Sequence, residues 1–372
     1  MKKEDILNEL ILLEAKGNYR SLRTPDNTLL DLSSNDYLGI ANNTNLKNEF
    51  YHKFSPKLSS SSSRLIDGSY REIMELEERA EEIYKKPCIM FNSGFDANSS
   101  IIETFCDKKT LILTDRLNHA SIYDGILNSE AEFLRYKHLD LVGLEKLLEK
   151  YSKHHKDILV ISETIYSMDG DIADIEKLVE LKRKYNFSLM VDEAHSYGVY
   201  GYGIAYNLNL VQDIDFLVIP LGKGGGSVGA MVICESYLKD YIINRSRKFI
   251  FSTALPPVNS CWNLFILNKM NDFDEQRGKL EFLKNHTLKL LNVNNIPTES
   301  TTHIISIIIG DNYKISKIAE NMLKKGYLLY PVKEPTVPKG TARFRIGLNP
   351  NISIEQIETF VKELKDEIDT VL

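Results

Sequence analysis

The sequence lacks several features that mark common classes of protein. It has no apolar run of about 18 residues, the length at which a segment becomes a candidate for crossing a bilayer. The first residues, 1–5, do not contain the apolar segment of a signal peptide. The net charge of −6 provides no basic surplus to neutralise the phosphates of nucleic acid or of an anionic membrane. We therefore expect a cytoplasmic protein with neither a nucleic-acid nor a membrane partner.

Cysteine is also scarce. The chain of 372 residues has four cysteines, and none of them form a Cys-x-x-Cys pair. Scattered cysteines suit a reducing compartment and apolar packing better than disulfides or a metal site, so we predict no bound metal. The length exceeds that of one typical core, which favours more than one structural unit.

Strand-like runs alternate with helical patterns through the middle of the chain. This alternation predicts an α/β fold, with βαβ units and a mostly parallel sheet covered by helices. The seven predicted strands are 89–91, 111–114, 133–136, 158–162, 188–191, 216–219 and 230–234, and the helices between them are 95–106, 119–128, 140–151 and 174–185. Such sheets bind ligands outside the carboxyl ends of their strands, so the residues that follow the strands are candidates for a site.

The two ends of the chain differ from its middle. Residues 1–45 predict an N-terminal arm with a helix and a short strand, and residues 46–265 form the predicted large domain. Residues 266–372 predict a smaller α+β domain, and one long helical stretch runs from about 259 to 291. Two capping boxes are predicted, Ser69 with Glu72 and Ser353 with Gln356.

One lysine follows a predicted buried strand. Lys223 comes shortly after the run 216–219 and lies among glycines, which let another molecule approach the backbone closely. Burying an ammonium group is costly, and desolvation lowers the pKa of a lysine, so that its neutral amine can attack an aldehyde. A P-loop would need Ser or Thr directly after the lysine, where Gly224 stands. The pattern therefore fits a Schiff-base lysine as well as it fits a solvated lysine in a flexible loop.

Other candidate residues follow the neighbouring predicted strands. Gly94 and Phe95 start a helix and offer backbone N–H groups, and the polar side chains are those of His119, Ser167, Asp192 and His195. Alone, each of them is more often a turn residue or an ordinary packed histidine. Together, however, a helix start that can bind an anion, an imidazole, a carboxylate and an amine outline a site for pyridoxal 5′-phosphate.

Eight segments, taken in order along the chain, carry a more specific signal. They are 32–39, 93–98, 115–121, 167–171, 192–195, 222–224, 251–257 and 340–345. In this order the segments resemble the α-oxoamine synthases, from about residue 30 to the C-terminus. The resemblance implies a fold-type I pyridoxal phosphate transferase, with a seven-stranded sheet domain and a smaller C-terminal domain. It also implies a homodimer with its active site at the subunit interface, which condenses an amino acid with an acyl-CoA or acyl-carrier-protein thioester and releases CO2.

The resemblance assigns roles to individual residues. Lys223 would bind the cofactor covalently and move the proton at the substrate Cα, and Asp192 would pair with the pyridine nitrogen. His119 would stack on the ring, and His195 would donate to its phenolate oxygen. The other implied contacts are Gly94, Phe95 and Ser167 to the cofactor, Ser252 and Thr253 to the phosphate of the neighbouring subunit's cofactor, and Arg345, Thr336, Asn35 and Arg20 to the substrate.

The substrates and one cofactor contact stay open at this point. The segment 334–343 most resembles family members that join L-alanine to a pimeloyl thioester, but members that use glycine and acetyl-CoA have a related segment. A non-catalytic member that serves as a dimerisation partner is a third possibility. Pro220 stands where the family usually has a threonine whose hydroxyl contacts the cofactor phosphate. This departure puts the affinity for the cofactor in question more than the type of reaction.

Overall fold

A computed structural model describes residues 2–19, 22, 24, 26, 28–155 and 157–371. Arg20, one of the expected substrate contacts, lies outside these described residues. The chain divides into two compact units. The sheet unit consists of Asn35–Ser167 and Ile172–Arg277, and the terminal unit consists of Met1–Ser34, Met168–Asp171 and Gly278–Leu372. The three-part division of the chain at 45/46 and 265/266 stays a prediction.

The strands of the described residues are short and mostly buried. They are β1 (Leu30–Asp31), β2 (Cys88–Phe91), β3 (Thr110–Asp115), β4 (Glu132–Tyr136), β5 (Asp157–Glu163), β6 (Ser188–Asp192), β7 (Phe216–Pro220), β8 (Ala230–Cys234), β9 (Ile304–Gly310), β10 (Tyr327–Leu328), β11 (Pro331–Val332) and β12 (Ala342–Gly347).

Helices lie between most of these strands. They are α1 (Lys3–Ala15), α2 (Thr44–Lys53), α3 (Arg71–Tyr84), α4 (Gly94–Phe105), α5 (Ala120–Asn128), α6 (Leu141–Tyr151), α7 (Ile175–Tyr185), α8 (Ile204–Asn207), α9 (Ser236–Arg245), α10 (Arg247–Ile250), α11 (Pro257–Asn268), α12 (Asp274–Val293), α13 (Asn312–Lys324) and α14 (Ile354–Val371). Within the described parts of the chain, none of these helices is both long and apolar enough to cross a membrane.

A seven-stranded sheet forms the centre of the sheet unit. Its strand order is β2-β8-β7-β6-β5-β3-β4. Strand β8 is antiparallel to β2 and β7, and every other neighbouring pair is parallel. The predicted α/β fold with a mostly parallel sheet is therefore confirmed. The strands could be recognised because a sheet covered on both faces needs continuous apolar runs, such as the fully buried Leu111, Ile112 and Leu113.

Helices α4 and α5 cover one side of this sheet at close range. A Cβ atom added to Gly125 of α5 would lie 2.8 Å from Ser99 Cα of α4, so the two helices can pack this closely only with a glycine at that position. Ile101, Ile122 and Met190 belong to the hydrophobic core under these helices. This packing fixes the positions of the residues at the helix starts, which face the carboxyl ends of the strands.

The terminal unit has two small sheets. Strands β11, β12 and β9 form an antiparallel sheet in that order, and β1 pairs with β10 in parallel. Helix α14 begins with the predicted capping box: Ser353 N–H donates to Gln356 Oε1 at 2.8 Å, and Gln356 N–H donates to Ser353 Oγ at 3.1 Å.

Two local predictions are wrong. The stretch 259–291 is not one helix, because α11 ends at Asn268 and a 3₁₀ turn, Met270–Phe273, separates it from α12. Ser69 does not cap α3, whose N-cap residue is Tyr70. Instead, the Ser69 hydroxyl donates to the Arg64 carbonyl at 2.7 Å and accepts from Arg64 Nε at 3.1 Å. The Ser69 hydroxyl therefore binds Arg64 in a tertiary contact instead of capping the helix as the local pattern predicted.

Candidate active site

Lys223 lies in the turn that follows β7. The turn is closed by a hydrogen bond from Gly226 N–H to the Lys223 carbonyl at 2.9 Å. The amine Nζ lies 2.7 Å from Nε2 of His195, which follows the neighbouring parallel strand β6. The sheet thus brings two residues together that are 28 positions apart in the chain.

Close backbone contacts explain why glycine is needed beside Lys223. A Cβ atom on Gly224 would lie 2.1 Å from the Tyr197 carbonyl oxygen, and one on Gly198 would lie 2.5 Å from the Gly224 carbonyl oxygen. Real Cβ atoms do not approach backbone atoms so closely, so the turn after β7 and the loop after β6 can touch only through glycine. Gly222 differs, because its nearest neighbour would be 3.7 Å away.

His195 continues the contact of Lys223 into the protein interior. Its Nδ1 atom lies 2.7 Å from the Tyr37 hydroxyl, and that hydroxyl donates to Asn35 Oδ1 at 2.9 Å. Tyr37 and His195 are buried, with 0% and 3% of their surface exposed, whereas Asn35 is exposed. Asn35 is thereby connected to Lys223 through two buried side chains.

Asp192 ends strand β6 and is buried. Its Oδ2 atom accepts from Asn98 Nδ2 at 2.6 Å, and its Oδ1 atom accepts from Ala194 N–H at 2.7 Å. The other N–H of the same Asn98 amide group can reach Ser121 Oγ at 3.0 Å, and Ser121 Oγ lies 2.8 Å from His119 Nδ1. Asn98 therefore joins the carboxylate of Asp192 to the imidazole of His119.

The charges of Lys223 and Asp192 both affect the pKa of His119. Burial lowers the pKa of His119, and the positive charge of Lys223 lowers it further, whereas the negative charge of Asp192 opposes both effects. His119 therefore lies within the fields of both the amine and the carboxylate and favours its neutral form.

A second carboxyl group lies beside Asp192. Glu163 ends β5 and is the register partner of Asp192 on β6, and its Oε1 atom accepts from His119 N–H at 2.5 Å. Burial, and then the negative charge of Asp192, raise the pKa of Glu163 to about 8, while the charge of Lys223 opposes the shift. The carboxyl end of the sheet thus holds a buried acid that keeps its proton at neutral pH.

Helix α4 begins beside the end of β7. Ser93 caps it by accepting from Asp96 N–H at 3.0 Å, so Gly94 and Phe95 form the first turn, where backbone N–H groups have no partner within the helix. A Cβ atom on Gly94 would lie 2.7 Å from Pro220 Cγ, which places this helix start against the last residue of β7. The positive end of a helix dipole is therefore available to an anion at that position.

Ser252 and Thr253 follow α10 in the sheet unit. Thr253 forms a β-bridge with Ser63, and its carbonyl accepts from Asn92 Nδ2 at 2.7 Å. Both residues line a pocket that also has the cationic side chains of Arg64 and Lys248. Arg64 is paired with Glu77 at 2.7 Å and Lys248 with Glu103 at 2.8 Å, so the hydroxyls are the groups of this region that suit a phosphate.

The remaining expected contacts are placed as follows. Ser167 is half-buried in the sheet unit, within the loop that the bridge between Ile165 and Ile172 closes. Arg345 and Thr336 belong to the terminal unit: Arg345 is on β12, opposite Ser306 of β9, and Thr336 is exposed. The roles of Ser167, Arg345 and Thr336 stay predictions.

Sequence reasoning missed three residues of this cluster. Glu163 directly follows the predicted strand 158–162 and could have been found by the rule that selected Asp192. Asn98 is a polar residue on the buried face of α4, which indicates a polar partner. Tyr37 belongs to a segment that resembles the α-oxoamine synthases, but its contact with His195 spans 158 positions and has no local signal.

The cluster has a matching group for three polar parts of pyridoxal phosphate. The amine of Lys223 suits an aldehyde, the buried carboxylate of Asp192 suits a pyridine nitrogen, and the start of α4 suits a phosphate. In addition, the Ser227 hydroxyl in the turn after Lys223 is buried and has no hydrogen-bond partner among the described residues. A buried hydroxyl without a partner is uncommon in proteins and is typical of a position that a ligand completes. The residues present therefore fit this cofactor.

Comparisons with known proteins extend over nearly the whole chain. Residues 27–364 match the aminotransferase class I and II family. A curated protein from Pasteurella multocida (strain Pm70), named "Putative 8-amino-7-oxononanoate synthase", is 39% identical in an alignment of 375 positions, which covers 98% of this chain and 96% of that protein.

Solved structures are similar over the same extent. A structure of SPT with PLP as an internal aldimine has a TM-score of 0.88 at 25% identity, covering 99% of this chain and 98% of the other. The crystal structure of 8-amino-7-oxononanoate synthase from Francisella tularensis has a TM-score of 0.80 at 26% identity, covering 93% and 99%.

Proposed function

The chain belongs to the class I and II aminotransferase family, and from its similarity to proteins named 8-amino-7-oxononanoate synthase we propose that it joins L-alanine to a pimeloyl thioester and forms 8-amino-7-oxononanoate for biotin synthesis. It is a pyridoxal-phosphate-dependent acyltransferase of the α-oxoamine synthase type. In this reaction a bond forms between the alanine Cα and the thioester carbonyl carbon, and the carbon–sulfur bond breaks to release the thiol. The alanine carboxylate leaves as CO2.

The contact between Lys223 and His195 is the observation that carries the proposal. An amine attacks an aldehyde only in its neutral form, so it needs a neighbour that accepts its proton. His195 Nε2 lies 2.7 Å from Nζ, within range for that transfer. A lysine in a solvated loop would have no buried imidazole directed at it.

The other residues of the cluster support the same chemistry. Pyridoxal phosphate, when bound, supplies an electron sink for the negative charge that develops at the substrate Cα. Asp192, held in place by Asn98, would accept from the pyridine N–H and keep that nitrogen protonated. His119 would cover one face of the ring, and Lys223 would remove and return the proton at Cα.

The phosphate would be bound mainly by backbone groups. The N–H groups of Gly94 and Phe95 start a helix at that position, and Ser167 offers a further hydroxyl to the cofactor. Pro220 has no hydroxyl to donate, so one charge-assisted hydrogen bond, worth about 1.5–3 kcal/mol, is absent at that residue. The Ser227 hydroxyl is the nearest candidate along the chain to replace it.

The substrate and partner contacts form the second part of the proposal. Arg345 would bind the amino-acid carboxylate, with Thr336, Asn35 and Arg20 on the substrate side. Ser252 and Thr253 would bind the phosphate of the neighbouring subunit's cofactor, so the active enzyme would be a homodimer.

A spectral titration followed by turnover tests this function. We expect the cofactor-loaded protein to absorb in the visible range and its band to shift on addition of L-alanine, more than with glycine or serine. Turnover should follow with pimeloyl-CoA or pimeloyl-carrier protein, and the Lys223→Ala variant should lose both the covalently bound cofactor and turnover. Turnover of glycine with acetyl-CoA alone would show that the substrates are wrong, and a protein that ignores added cofactor would refute the assignment.

A further inference from the structure

A continuous row of four polar side chains leads from the reactive amine to the surface. Lys223 Nζ, His195 Nε2 and Nδ1, the Tyr37 hydroxyl and Asn35 Oδ1 are linked by contacts of 2.7, 2.7 and 2.9 Å. Its two middle members are buried, and Asn35 at its end is exposed. A neutral His195 ring and the Tyr37 hydroxyl each have a single proton to donate. The direction of donation along the row can therefore be deduced.

The direction follows from counting protons. Asn35 Oδ1 is a carbonyl oxygen and can only accept, so Tyr37 must donate its single hydroxyl proton there. The Tyr37 oxygen can then only accept from His195, which places the imidazole proton on Nδ1. In the neutral ring, Nε2 consequently has a lone pair directed at Lys223, and the amine donates to it.

The amide of Asn35 can reverse this direction. An asparagine amide has an acceptor and a donor of nearly the same shape, so a half-turn would present Nδ2 to the Tyr37 oxygen. Tyr37 would then donate to His195 Nδ1, and the ring proton would lie on Nε2. When the Lys223 amine is neutral and can accept from Nε2–H, two orientations of one exposed amide thus correspond to two tautomers of a buried histidine.

We propose that Tyr37 is a positioning residue that selects the tautomer of His195, and that Asn35 sets the direction in which Tyr37 donates. With Oδ1 toward Tyr37, the amide N–H groups of Asn35 are directed elsewhere and can bind an anionic acceptor such as a carboxylate. A carboxylate bound there holds the amide in this orientation and therefore keeps Nε2 of His195 as a proton acceptor.

This tautomer has a consequence for Lys223. An N–H bond at Nζ can break while one forms at Nε2, which leaves a neutral amine and an imidazolium ring whose Nδ1–H still donates to Tyr37. The same His195 then has an N–H at Nε2 and can donate to an oxygen. One residue can thus act first as the acceptor for the lysine proton and afterwards as a donor, as the role expected for His195 requires. The value of this change for catalysis rests on the proposed function, whereas the tautomer itself does not.

Nitrogen NMR of the protein labelled at histidine measures the tautomer directly. The chain has eight histidines, and the His195→Gln spectrum identifies the signals of His195 by their loss. In the cofactor-free protein we expect the shifts of a neutral ring with its proton on Nδ1. The test is made in a Lys223→Ala background, because the Lys223 ammonium can only donate and by itself keeps the proton off Nε2. There Tyr37→Phe removes the acceptor for the Nδ1 proton, so the shifts of the two ring nitrogens should exchange toward the form with the proton on Nε2. Shifts that stay unchanged in Tyr37→Phe, or a wild-type ring with its proton on Nε2, would overturn the proposal.

A matched variant controls for the loss of a buried hydroxyl. Tyr84 is also buried, and its hydroxyl donates to the Tyr202 carbonyl at 2.8 Å, away from His195. Tyr84→Phe removes the same atom in the same unit and should leave the His195 signals unchanged. A shift of equal size in both variants would mean that the effect is general and would refute a specific role of Tyr37.

Variants of Asn35 test the direction in which Tyr37 donates, and they do so at an exposed position where folding is not at risk. In the same Lys223→Ala background, Asn35→Asp offers only acceptors to Tyr37 and should keep the proton on Nδ1 of His195, whereas Asn35→Ala should give a mixture of the two tautomers. An identical tautomer in both variants would overturn the part assigned to Asn35. These spectra need neither substrate nor turnover, so they separate this inference from the proposed function: a protein inactive with L-alanine and pimeloyl thioesters could still confirm it.

Discussion

At the residue scale, the pair of neighbouring carboxyl groups at the ends of β5 and β6 has the clearest consequence. Glu163 and Asp192 are register partners in adjacent parallel strands, and both are buried. Two buried negative charges on adjacent strands would repel strongly. The pKa of Glu163 is raised to about 8, so this residue keeps its proton at neutral pH. A protonated carboxyl still has a carbonyl oxygen that can accept from His119 N–H. The negative charge of the pair can then be concentrated at Asp192, where a protonated pyridine would need it.

Replacing Glu163 by glutamine should change how stability depends on pH. The reference pKa of 4.5 applies to the unfolded chain and about 8 to the folded one, so the folded state retains the proton longer. The stabilisation that comes from this difference is complete below pH 4.5 and is lost as the pH rises toward 8. Glutamine does not titrate, so we expect the wild type to lose about 1 kcal/mol or more of unfolding free energy relative to Glu163→Gln between these limits.

Chemical denaturation of the cofactor-free protein at a series of pH values measures this difference. Glutamine retains a carbonyl oxygen for His119 N–H, so the variant keeps the hydrogen bond that the structure shows. An exposed position in the first turn of α1 provides the control, and Glu4→Gln should follow the wild-type curve. Parallel curves for Glu163→Gln and the wild type would contradict the prediction.

At the element scale, the turn after β7 depends on the loop after β6. Gly224 and Gly198 touch through their backbones, and Arg277 donates to the Gly198 carbonyl at 3.2 Å from the other side. The turn therefore positions Lys223 only as long as both glycines permit the approach.

Alanine substitutions on either side of Lys223 should differ in effect: Gly224→Ala should be destabilising, and Gly222→Ala should not. Gly224→Ala would place a Cβ atom 2.1 Å from the Tyr197 carbonyl oxygen, so the turn must move. We expect a loss of about 1–3 kcal/mol in stability, as for overpacking in general, and a weakened visible band of the bound cofactor. Gly222→Ala is the matched control, because its Cβ atom would have 3.7 Å of space. Thermal unfolding and cofactor spectra of both variants check this, and equal effects would show that the contact with Tyr197 does not hold the turn.

The elements themselves could be predicted to different degrees, for physical reasons. The strands of the large sheet were recognisable because burial on both faces requires continuous apolar runs. The cap at Ser353 is a local interaction and could be predicted, whereas Ser69 has the same local pattern but binds Arg64, whose guanidinium is paired with Glu77 at 2.7 Å. Helix α2 was missed: its cap residue Asn43 accepts from Leu46 N–H, but only Phe50 of the helix is buried, so its apolar pattern is weak.

The candidate site divides in the same way. The proximity of Lys223, Asp192, His195 and His119 could be predicted, because in a parallel sheet the residues after the strands meet at one edge, whereas their roles stay predictions. The row from Asn35 through Tyr37 could not be derived from spacing, because the contact with His195 joins segments 158 positions apart. The direction of its hydrogen bonds depends on atoms that only the folded structure brings together.

At the scale of the whole molecule, the proposed assembly of two chains concerns the region around Thr253. The segment presents Thr253 at the surface, next to Phe251, which is 71% exposed. An exposed aromatic side chain beside hydroxyls suits a contact with a second protein surface. If this surface completes the partner's cofactor site, a dimer should have twice the chain mass of 42.6 kDa, and each of its sites should use residues of both chains.

Mixing two inactive variants tests that sharing. One chain has Lys223→Ala, and the other has Ser252→Ala with Thr253→Val. If Lys223 and Thr253 of one site come from different chains, a mixed dimer has one site with all the native residues and one that lacks both sets. Random exchange at equal amounts makes about half of the dimers mixed, so activity should return to about a quarter of the wild-type value. Turnover measured after unfolding and refolding the two variants together, compared with each variant refolded alone, gives the answer. No recovery, with mixed dimers demonstrated by differently tagged chains, would mean that each site is built from a single chain.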